Sequence, residues 1–234
     1  MDALNQLPNY LIRGEQWAAF WNVYESYMNY NWTASVPLSQ LKFNWSQHQQ
    51  DSFQAVKALY HSQATQEELA WFNEFDLERV LRAARSYYMV LYGYYGKGFV
   101  SGFKDSRYVC GRSFESGRCA EFFHGFMDFL RKLCLDVKVI FNSRTSASRD
   151  DNAKLYDMDP SKQEDDWARD LAETHRLYDA YAAAHGGHVL RVLYEDMFHP
   201  QKNATVARQL LEFLREDPNT PITFNRMPPA KVGP

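Results

Sequence analysis

The sequence predicts an α/β protein in which a parallel β-sheet is flanked by helices on both faces, a three-layer architecture. Four short runs rich in β-branched and aromatic residues alternate with longer segments whose apolar residues recur at helical spacing. This alternation is typical of parallel sheets, because each crossover must return the chain to the same end of the sheet. At 234 residues the chain is long enough for one domain with a full core. We expect that domain over residues 1–217, and a loose, proline-rich tail over residues 218–234.

The amino-terminal half predicts two of the strands and a region of aromatic helices. Residues 10–13 form the first strand candidate, which Gly14 ends, and residues 99–103 form the second strand between glycines. Asp76 can cap a new helix, because it directly precedes a run with helical spacing. The predicted helices cover residues 15–30, 51–61 and 66–95, the last of them broken so that a new helix runs over 77–92.

The carboxyl-terminal half predicts two more strands, each preceded by a long helix. The run Val-Lys-Val-Ile-Phe-Asn-Ser-Arg over residues 137–144 is a buried strand that ends in a polar cluster. The double glycine Gly186-Gly187 ends the longest helix. The predicted elements are helix 120–135, strand 137–144, helix 163–185, strand 188–194 and helix 205–215.

Composition excludes several classes of protein. The net charge of −3 argues against general nucleic-acid binding. No run approaches the roughly 20 apolar residues of a membrane span, and residues 1–30 show no signal peptide. We therefore expect a soluble, cytoplasmic protein, with a Golgi lumenal location open if the true amino terminus lies further upstream. The sequence favours free thiols at Cys110, Cys119 and Cys134. A bridge between Cys110 and Cys119 would require an oxidising compartment. Three glycosylation sequons slightly favour such a compartment, at Asn31, Asn44 and Asn203.

Arg144 marks an anion site at the end of the third strand. In open parallel sheets ligands bind just beyond the carboxyl ends of the strands. A guanidinium at that edge is well placed to hold a phosphate or a sulfate. The alternative is an ordinary surface arginine that follows a strand.

Four motifs stand in a specific order along the chain. They are Pro8-Asn-Tyr-Leu-Ile-Arg-Gly-Glu15, Gly102-Phe-Lys-Asp-Ser-Arg107, Lys138-Val-Ile-Phe-Asn-Ser-Arg144 and Val189-Leu-Arg-Val-Leu-Tyr-Glu-Asp-Met197. In this order and with these gaps, the chain resembles the sulfotransferases that use 3′-phosphoadenosine 5′-phosphosulfate (PAPS). The resemblance covers about residues 3–215 and is closer to the branch that modifies carbohydrates, lipids and small metabolites.

The resemblance implies a nucleotide site on the second half of the sheet. Arg144 matches the arginine that contacts the 3′-phosphate of PAPS, or of its product adenosine 3′,5′-bisphosphate (PAP). Asn152 stands where the family usually has a serine for the same phosphate, and its amide can still donate a hydrogen bond. Tyr194 matches a tyrosine beside the adenine, although a tyrosine of the core is nearly as good an interpretation.

The first two motifs supply the candidate catalytic residues. Sulfuryl transfer resembles phosphoryl transfer, so it requires charge stabilisation and a base for the acceptor hydroxyl. Glu15 is the candidate base, and the alternative is a helix-start carboxylate worth about 0.3–1 kcal/mol. Lys104 is assigned to the transferring group and Arg107 to the acceptor side. This chemistry requires no metal, and the histidines show no zinc-ligand spacing.

The family's phosphosulfate-binding loop is not found in the sequence. Residues 1–8 correspond to the end of the helix that follows this loop, so the first strand and the loop are expected upstream. Two interpretations stay open: a truncated form of a working sulfotransferase, or an inactive relative that serves as a binding or regulatory protein. A nucleotide or sugar kinase has less support, because it also needs a phosphate loop and usually magnesium ligands. The acceptor's identity and the oligomeric state are open.

Overall fold

The structure is a computed structural model that describes residues 3–35, 77–93, 96–134, 136–144 and 164–225. The chain divides into two compact units. The larger unit comprises Met1–Ala19 and Tyr88–Pro234, and the smaller unit comprises Phe20–Tyr87. The single domain over residues 1–217 and the tail beyond it stay predictions.

The first parallel sheet consists of two strands, β1 (Tyr10–Arg13) and β2 (Val100–Phe103). In this sheet Tyr10 lies opposite Val100, and Arg13 lies opposite Phe103. Gly102 lies opposite Ile12, where an added Cβ would come within 3.0 Å of the isoleucine Cδ1 atom. A larger residue would therefore require the isoleucine side chain to shift by a few tenths of an ångström.

A side chain covers the outer edge of β1. The Asn5 amide donates to the Ile12 carbonyl at 3.0 Å, and the Asn5 Oδ1 atom accepts the Ile12 N–H at 2.7 Å. Asn5 lies in a 3-10 helix, Leu4–Gln6, where the sequence predicted the last turns of a helix. Its carboxamide replaces a neighbouring strand, which satisfies this part of the edge.

The second parallel sheet consists of β3 (Val139–Ser143) and β4 (Val189–Leu193). Here Val139 lies opposite Val189, and Ser143 lies opposite Leu193. All four strands fall within the predicted segments, so the α/β class is confirmed. The described strands form two two-stranded sheets, β1–β2 and β3–β4.

Helices connect and follow these strands. A helix over Leu77–Tyr92 lies where it was predicted, while the cap predicted at Asp76 lies outside the described residues; the helix predicted from residue 15 begins only at Ala19. The reason is that Trp17 and Ala18 have left-handed backbones, with φ values of 54° and 53°. The helix predicted over 51–61, and residues 66–76 of the next, lie outside the described residues. The helices are α1 (Ala19–Ser35), α2 (Leu77–Tyr92), α3 (Cys119–Leu133), α4 (Glu164–Ala184), α5 (Tyr194–Met197) and α6 (Asn203–Leu214).

Aromatic rings form the core of the larger unit. Phe123 of α3 is 1% exposed, and its ring centroid lies 5.8 Å from that of Phe141 in β3 and 5.4 Å from that of Tyr181 in α4. Phe141 and Tyr178 stack with their centroids 4.1 Å apart. Burying rings of this size is the main source of stability for such a unit.

In the smaller unit, Phe20 and Tyr24 of α1 are almost fully buried. The Phe20 ring lies 6.4 Å from Tyr87 of α2, so the amino-terminal part of α1 packs near that helix. None of the described helices is long and apolar enough to cross a membrane.

Cys110 and Cys119 form a disulfide, with their Cα atoms 5.4 Å apart, while Cys134 is not part of a disulfide. The sequence favoured free thiols at all three positions, and for the first two this prediction was wrong. A turn brings the two cysteines together, because Cys110 pairs with Phe114 in an isolated β-bridge. Sequence spacing alone does not reveal that turn.

The disulfide loop is also fixed to α4. The Cys110 N–H donates to the Thr174 hydroxyl at 3.0 Å, and the Ser116 hydroxyl donates to the Asp170 carboxylate at 2.7 Å. Thr174 is 2% exposed and Asp170 is 6% exposed. Buried polar groups need such partners, so these bonds hold the segment after β2 in one conformation.

Candidate functional site

Two predicted catalytic residues meet at the carboxyl ends of β1 and β2. Glu15 follows β1 and Lys104 follows β2, and the parallel register brings these two strand ends to the same edge of the sheet. The Lys104 ammonium donates a hydrogen bond to the Glu15 Oε1 atom, and the Ser106 hydroxyl donates to the same oxygen at 3.0 Å. The two residues are thus direct partners.

The surroundings of Glu15 keep it ionised. Partial burial by itself would raise its pKa, but the hydrogen bond and charge of Lys104, the Ser106 hydroxyl and the charge of Arg107 together lower the pKa below its ordinary value. The Glu15 and Lys104 side chains are 36% and 46% exposed. Solvent screens such a pair, and an incoming ligand can reach both groups.

Asp105 ties the two loops of this cluster together, and the sequence analysis missed it. Its carboxylate accepts three backbone N–H groups: Ala18 at 2.8 Å, Arg107 at 3.0 Å and Gln16 at 3.4 Å. The bond to Arg107 is an Asx turn, which Asp favours two residues before its partner. That local signal was visible in the sequence, whereas the bonds across to residues 16 and 18 depend on the tertiary fold.

Arg107, predicted to face the acceptor, stacks on an aromatic ring. The carbon at the centre of its guanidinium lies 3.7 Å from the ring centroid of Trp17. Trp17, which the helical pattern placed inside α1, instead precedes the helix and is 71% exposed. The structure therefore adds an exposed indole to the cluster of Glu15, Lys104 and Arg107.

The predicted nucleotide residues meet at the carboxyl ends of β3 and β4. Arg144 directly follows β3, Tyr194 directly follows β4, and the guanidinium carbon lies 4.2 Å from the tyrosine ring centroid. A cation held over a ring at this distance is a favourable contact. Beside Arg144, the buried hydroxyl of Ser143 has no hydrogen-bond partner among the described residues. Asn152 lies outside the described residues, so its predicted role stays a prediction.

No protein-family model, curated protein or solved structure matches this chain.

Each cluster has a distinct chemical capacity. Arg144 and Tyr194 offer a positive charge and an aromatic face, the combination that suits an anionic group attached to a planar base. Glu15 and Lys104 offer a carboxylate and an ammonium group, which can accept a proton and stabilise negative charge. In the described part of the chain, no group of three or more His, Cys, Asp or Glu side chains could hold a metal ion.

A cavity of about 410 Å³ lies elsewhere in the larger unit, between α4, β4 and α6. Its lining includes His175, Asp179, Arg191 and Gln209, but none of the predicted site residues. Arg191 donates to Asp179 at 2.7 Å and to the Phe141 carbonyl at 3.2 Å. Burial and the nearby charge of Arg191 lower the pKa of His175. Because Arg191 is already bound to protein groups, this cavity offers a ligand less than the strand ends do.

Proposed function

We propose that this chain is a sulfotransferase domain that binds PAPS and transfers its sulfuryl group to a hydroxyl of a carbohydrate, a lipid or a small metabolite. The observation that supports this best is the contact between Arg144 and Tyr194. The two residues come from separate motifs, and the sequence of each motif predicts a contact with the same nucleotide. The meeting of Glu15 with Lys104 supports the catalytic half in the same way.

Arg144 and Tyr194 fit a nucleotide that carries a phosphate on its ribose. Arg144 forms no ion pair with any described residue, so its charge is available to the 3′-phosphate. The Tyr194 ring carries the guanidinium on one face and lies 4.7 Å from the ring of Phe198, and its hydroxyl can contact the adenine. The unsatisfied Ser143 hydroxyl beside Arg144 adds a polar group at the same strand end.

Glu15 and Lys104 fit the transfer step. When bound, PAPS supplies an activated sulfuryl group whose transfer requires little covalent chemistry from the protein. Lys104 offers the positive charge that stabilises an anionic group in that position. Glu15, once its oxygen is no longer occupied by Lys104, can accept the proton of the acceptor hydroxyl, and Arg107 lies on the acceptor side.

We also propose that β1–β2 and β3–β4 are two parts of one parallel sheet, flanked by helices on both faces and completed by a further strand. Both pairs are parallel, and both lie in the same compact unit. A two-stranded sheet is only marginally stable on its own. Rings also connect the pairs, since Phe103 of β2 contacts Tyr108, and Tyr108 stacks on Phe126 of the core helix α3.

An inactive relative that binds the nucleotide without turnover is the second candidate. The lowered pKa of Glu15 favours it, because a carboxylate that holds its proton weakly is a weak base. In either case the Cys110–Cys119 disulfide favours maturation in an oxidising compartment, such as the Golgi lumen, over the cytoplasm.

Binding of PAP tests the proposed function. PAP should raise the melting temperature of the chain, and 5′-AMP, which lacks the 3′-phosphate, should raise it less. Arg144→Gln should weaken PAP binding by about 10- to 100-fold, the worth of a charge-assisted contact, and remove the preference for PAP over 5′-AMP. Arg208→Gln, at an exposed position of α6, is the matched control. No stabilisation by PAP at millimolar concentration would contradict the proposal.

Turnover then separates the two candidates. An active domain should transfer sulfate from PAPS to a hydroxyl acceptor, and Glu15→Gln should abolish transfer while leaving PAP binding intact. Binding of PAP without any transfer by the unmodified chain would favour the inactive relative.

A further inference from the structure

Trp17 is the most exposed aromatic side chain among the described residues. It is 71% exposed, whereas Phe99, Tyr87 and Tyr30 are 48%, 44% and 37% exposed. A single exposed ring is ordinary on a protein surface. Trp17 differs because it lies two residues from Glu15 and in contact with Arg107, beside the charged cluster at the strand ends.

The backbone holds Trp17 in an unfavourable conformation. Both Trp17 and Ala18 have left-handed backbones, which residues with a Cβ atom rarely adopt, and least of all in succession. Asp105 imposes this turn, because its carboxylate accepts the N–H of Ala18 at 2.8 Å and that of Gln16 at 3.4 Å. Strain that is enforced in this way is typical of ligand sites.

The same carboxylate positions the partner of the indole ring. Asp105 accepts the Arg107 N–H at 3.0 Å, and the Arg107 guanidinium lies over the Trp17 ring at 3.7 Å. A guanidinium that stacks through its face keeps its N–H donors at its edge, where they can bind a carboxylate or a sulfate. One aspartate thus orients both an apolar ring face and a cation.

We propose that Trp17 and Arg107, which we call the Trp17–Arg107 platform, form a binding subsite for a sugar residue that carries an anionic group. The indole face packs against the apolar C–H face of the sugar ring, and Arg107 binds the anion. Arg107 is close enough to Glu15 to lower the pKa of that carboxylate, so a sugar on the platform lies near Glu15. That the platform binds an anionic sugar does not depend on the proposed function. That this sugar is the acceptor of the sulfuryl group rests on the proposed function.

Calorimetric titration of the full chain with defined oligosaccharides, without nucleotide, tests the platform. The acidic probe is an unsulfated hyaluronan tetrasaccharide, which contains glucuronate, and the neutral probe is chitotetraose. The unmodified chain should bind the acidic probe about tenfold more tightly, since one charge-assisted contact is added. Trp17→Ala should weaken both probes by about tenfold, and Arg107→Gln should remove the preference for the acidic one.

Three further variants make the result specific. Phe99→Ala removes another exposed ring and Arg208→Gln another exposed arginine, and neither should change binding. Trp17→Phe keeps a ring and should retain most of the affinity, with circular dichroism verifying that each variant is folded. The proposal is wrong if the unmodified chain binds neither probe at millimolar concentration, shows no preference for the acidic probe, or keeps its affinity after Trp17→Ala.

The platform and the proposed function can fail separately. Stabilisation by PAP without binding of the tetrasaccharide would refute the platform and leave the sulfotransferase proposal in place. Binding of the tetrasaccharide that depends on Trp17, without any effect of PAP, would retain the platform as a sugar site and refute the nucleotide-dependent function.

Discussion

Replacing Asp105 by alanine should destabilise the turn that carries Glu15 and Trp17. The carboxylate is the shared acceptor for backbone N–H groups on both sides of the cluster, Ala18 on one side and Arg107 on the other. Alanine removes this acceptor and leaves those donors without a protein partner.

The magnitude follows from the bonds that are lost and the strain that is released. The bonds from Ala18 and Arg107, at 2.8 and 3.0 Å, are well formed, while the 3.4 Å bond from Gln16 contributes little. At about 1.5 kcal/mol for each half-buried bond to a carboxylate, about 3 kcal/mol is lost. Relaxation of one of the two left-handed residues, Trp17 or Ala18, returns about 1–2 kcal/mol. The net destabilisation is then about 1–2 kcal/mol, or a decrease in melting temperature of about 2–8 °C for a chain of this size.

Thermal unfolding and hydrogen exchange measure this effect together. Asp105→Ala should lower the melting temperature and speed amide exchange in a peptide that contains Gln16 and Ala18. Asp105→Asn keeps one acceptor oxygen and should lose about half as much. Asp136→Ala, at an exposed position, is the control. If Asp105→Ala changes neither the melting temperature nor the exchange of that peptide, Asp105 does not hold the turn.

Three further predictions concern stability. Because the pKa of Glu15 is lowered from 4.5, its contribution to stability is present above that pH and is lost as the pH falls through the lowered value. The difference in unfolding free energy between the unmodified chain and Glu15→Gln should therefore shrink on acidification. A constant difference would contradict the contact with Lys104. Reduction of Cys110–Cys119, which are 9 residues apart, should lower the free energy of unfolding by about 2–3 kcal/mol in urea titrations, and equal stability with and without reductant would contradict a bridge. Phe123→Ala, at the centre of the aromatic core, should cost about 3–5 kcal/mol, and a loss below about 1 kcal/mol would show that the ring is not packed as described.

The sequence predicted the regular elements well where local signals determine them. Residues 10–13 form a strand with the predicted limits, because a short apolar run ends at a glycine. The helix Leu77–Tyr92 lies where the strongly periodic segment predicted it. The candidate residues at the carboxyl ends of the strands also come together in pairs, since parallel strands bring these ends to one edge.

Features that depend on tertiary contacts could not be predicted in this way. Trp17 fits the helical spacing of α1, but Asp105, 88 positions further along the chain, holds the backbone in a left-handed turn that delays the helix. The bond between Cys110 and Cys119 depends on a turn that their spacing does not specify. The short helix α5, which begins at Tyr194, was not predicted either. A helix of a single turn has too few residues to show a periodic pattern.

The contact between Lys104 and Glu15 suggests how an active site of this kind could couple ligand binding to base strength. With Lys104 bound, the pKa of Glu15 is lowered, and the carboxylate is a weak base. An anionic group that draws the ammonium away would remove the Lys104 hydrogen bond and charge, so burial, which raises the pKa, would be opposed only by the Ser106 hydroxyl and the charge of Arg107, and the pKa would rise. Glu15 would then become a stronger base only when the group to be transferred is in place. In an inactive relative the pair would stay closed, so Glu15 would keep its lowered pKa after the nucleotide binds, and a carboxyl titration with and without PAPS distinguishes the two cases.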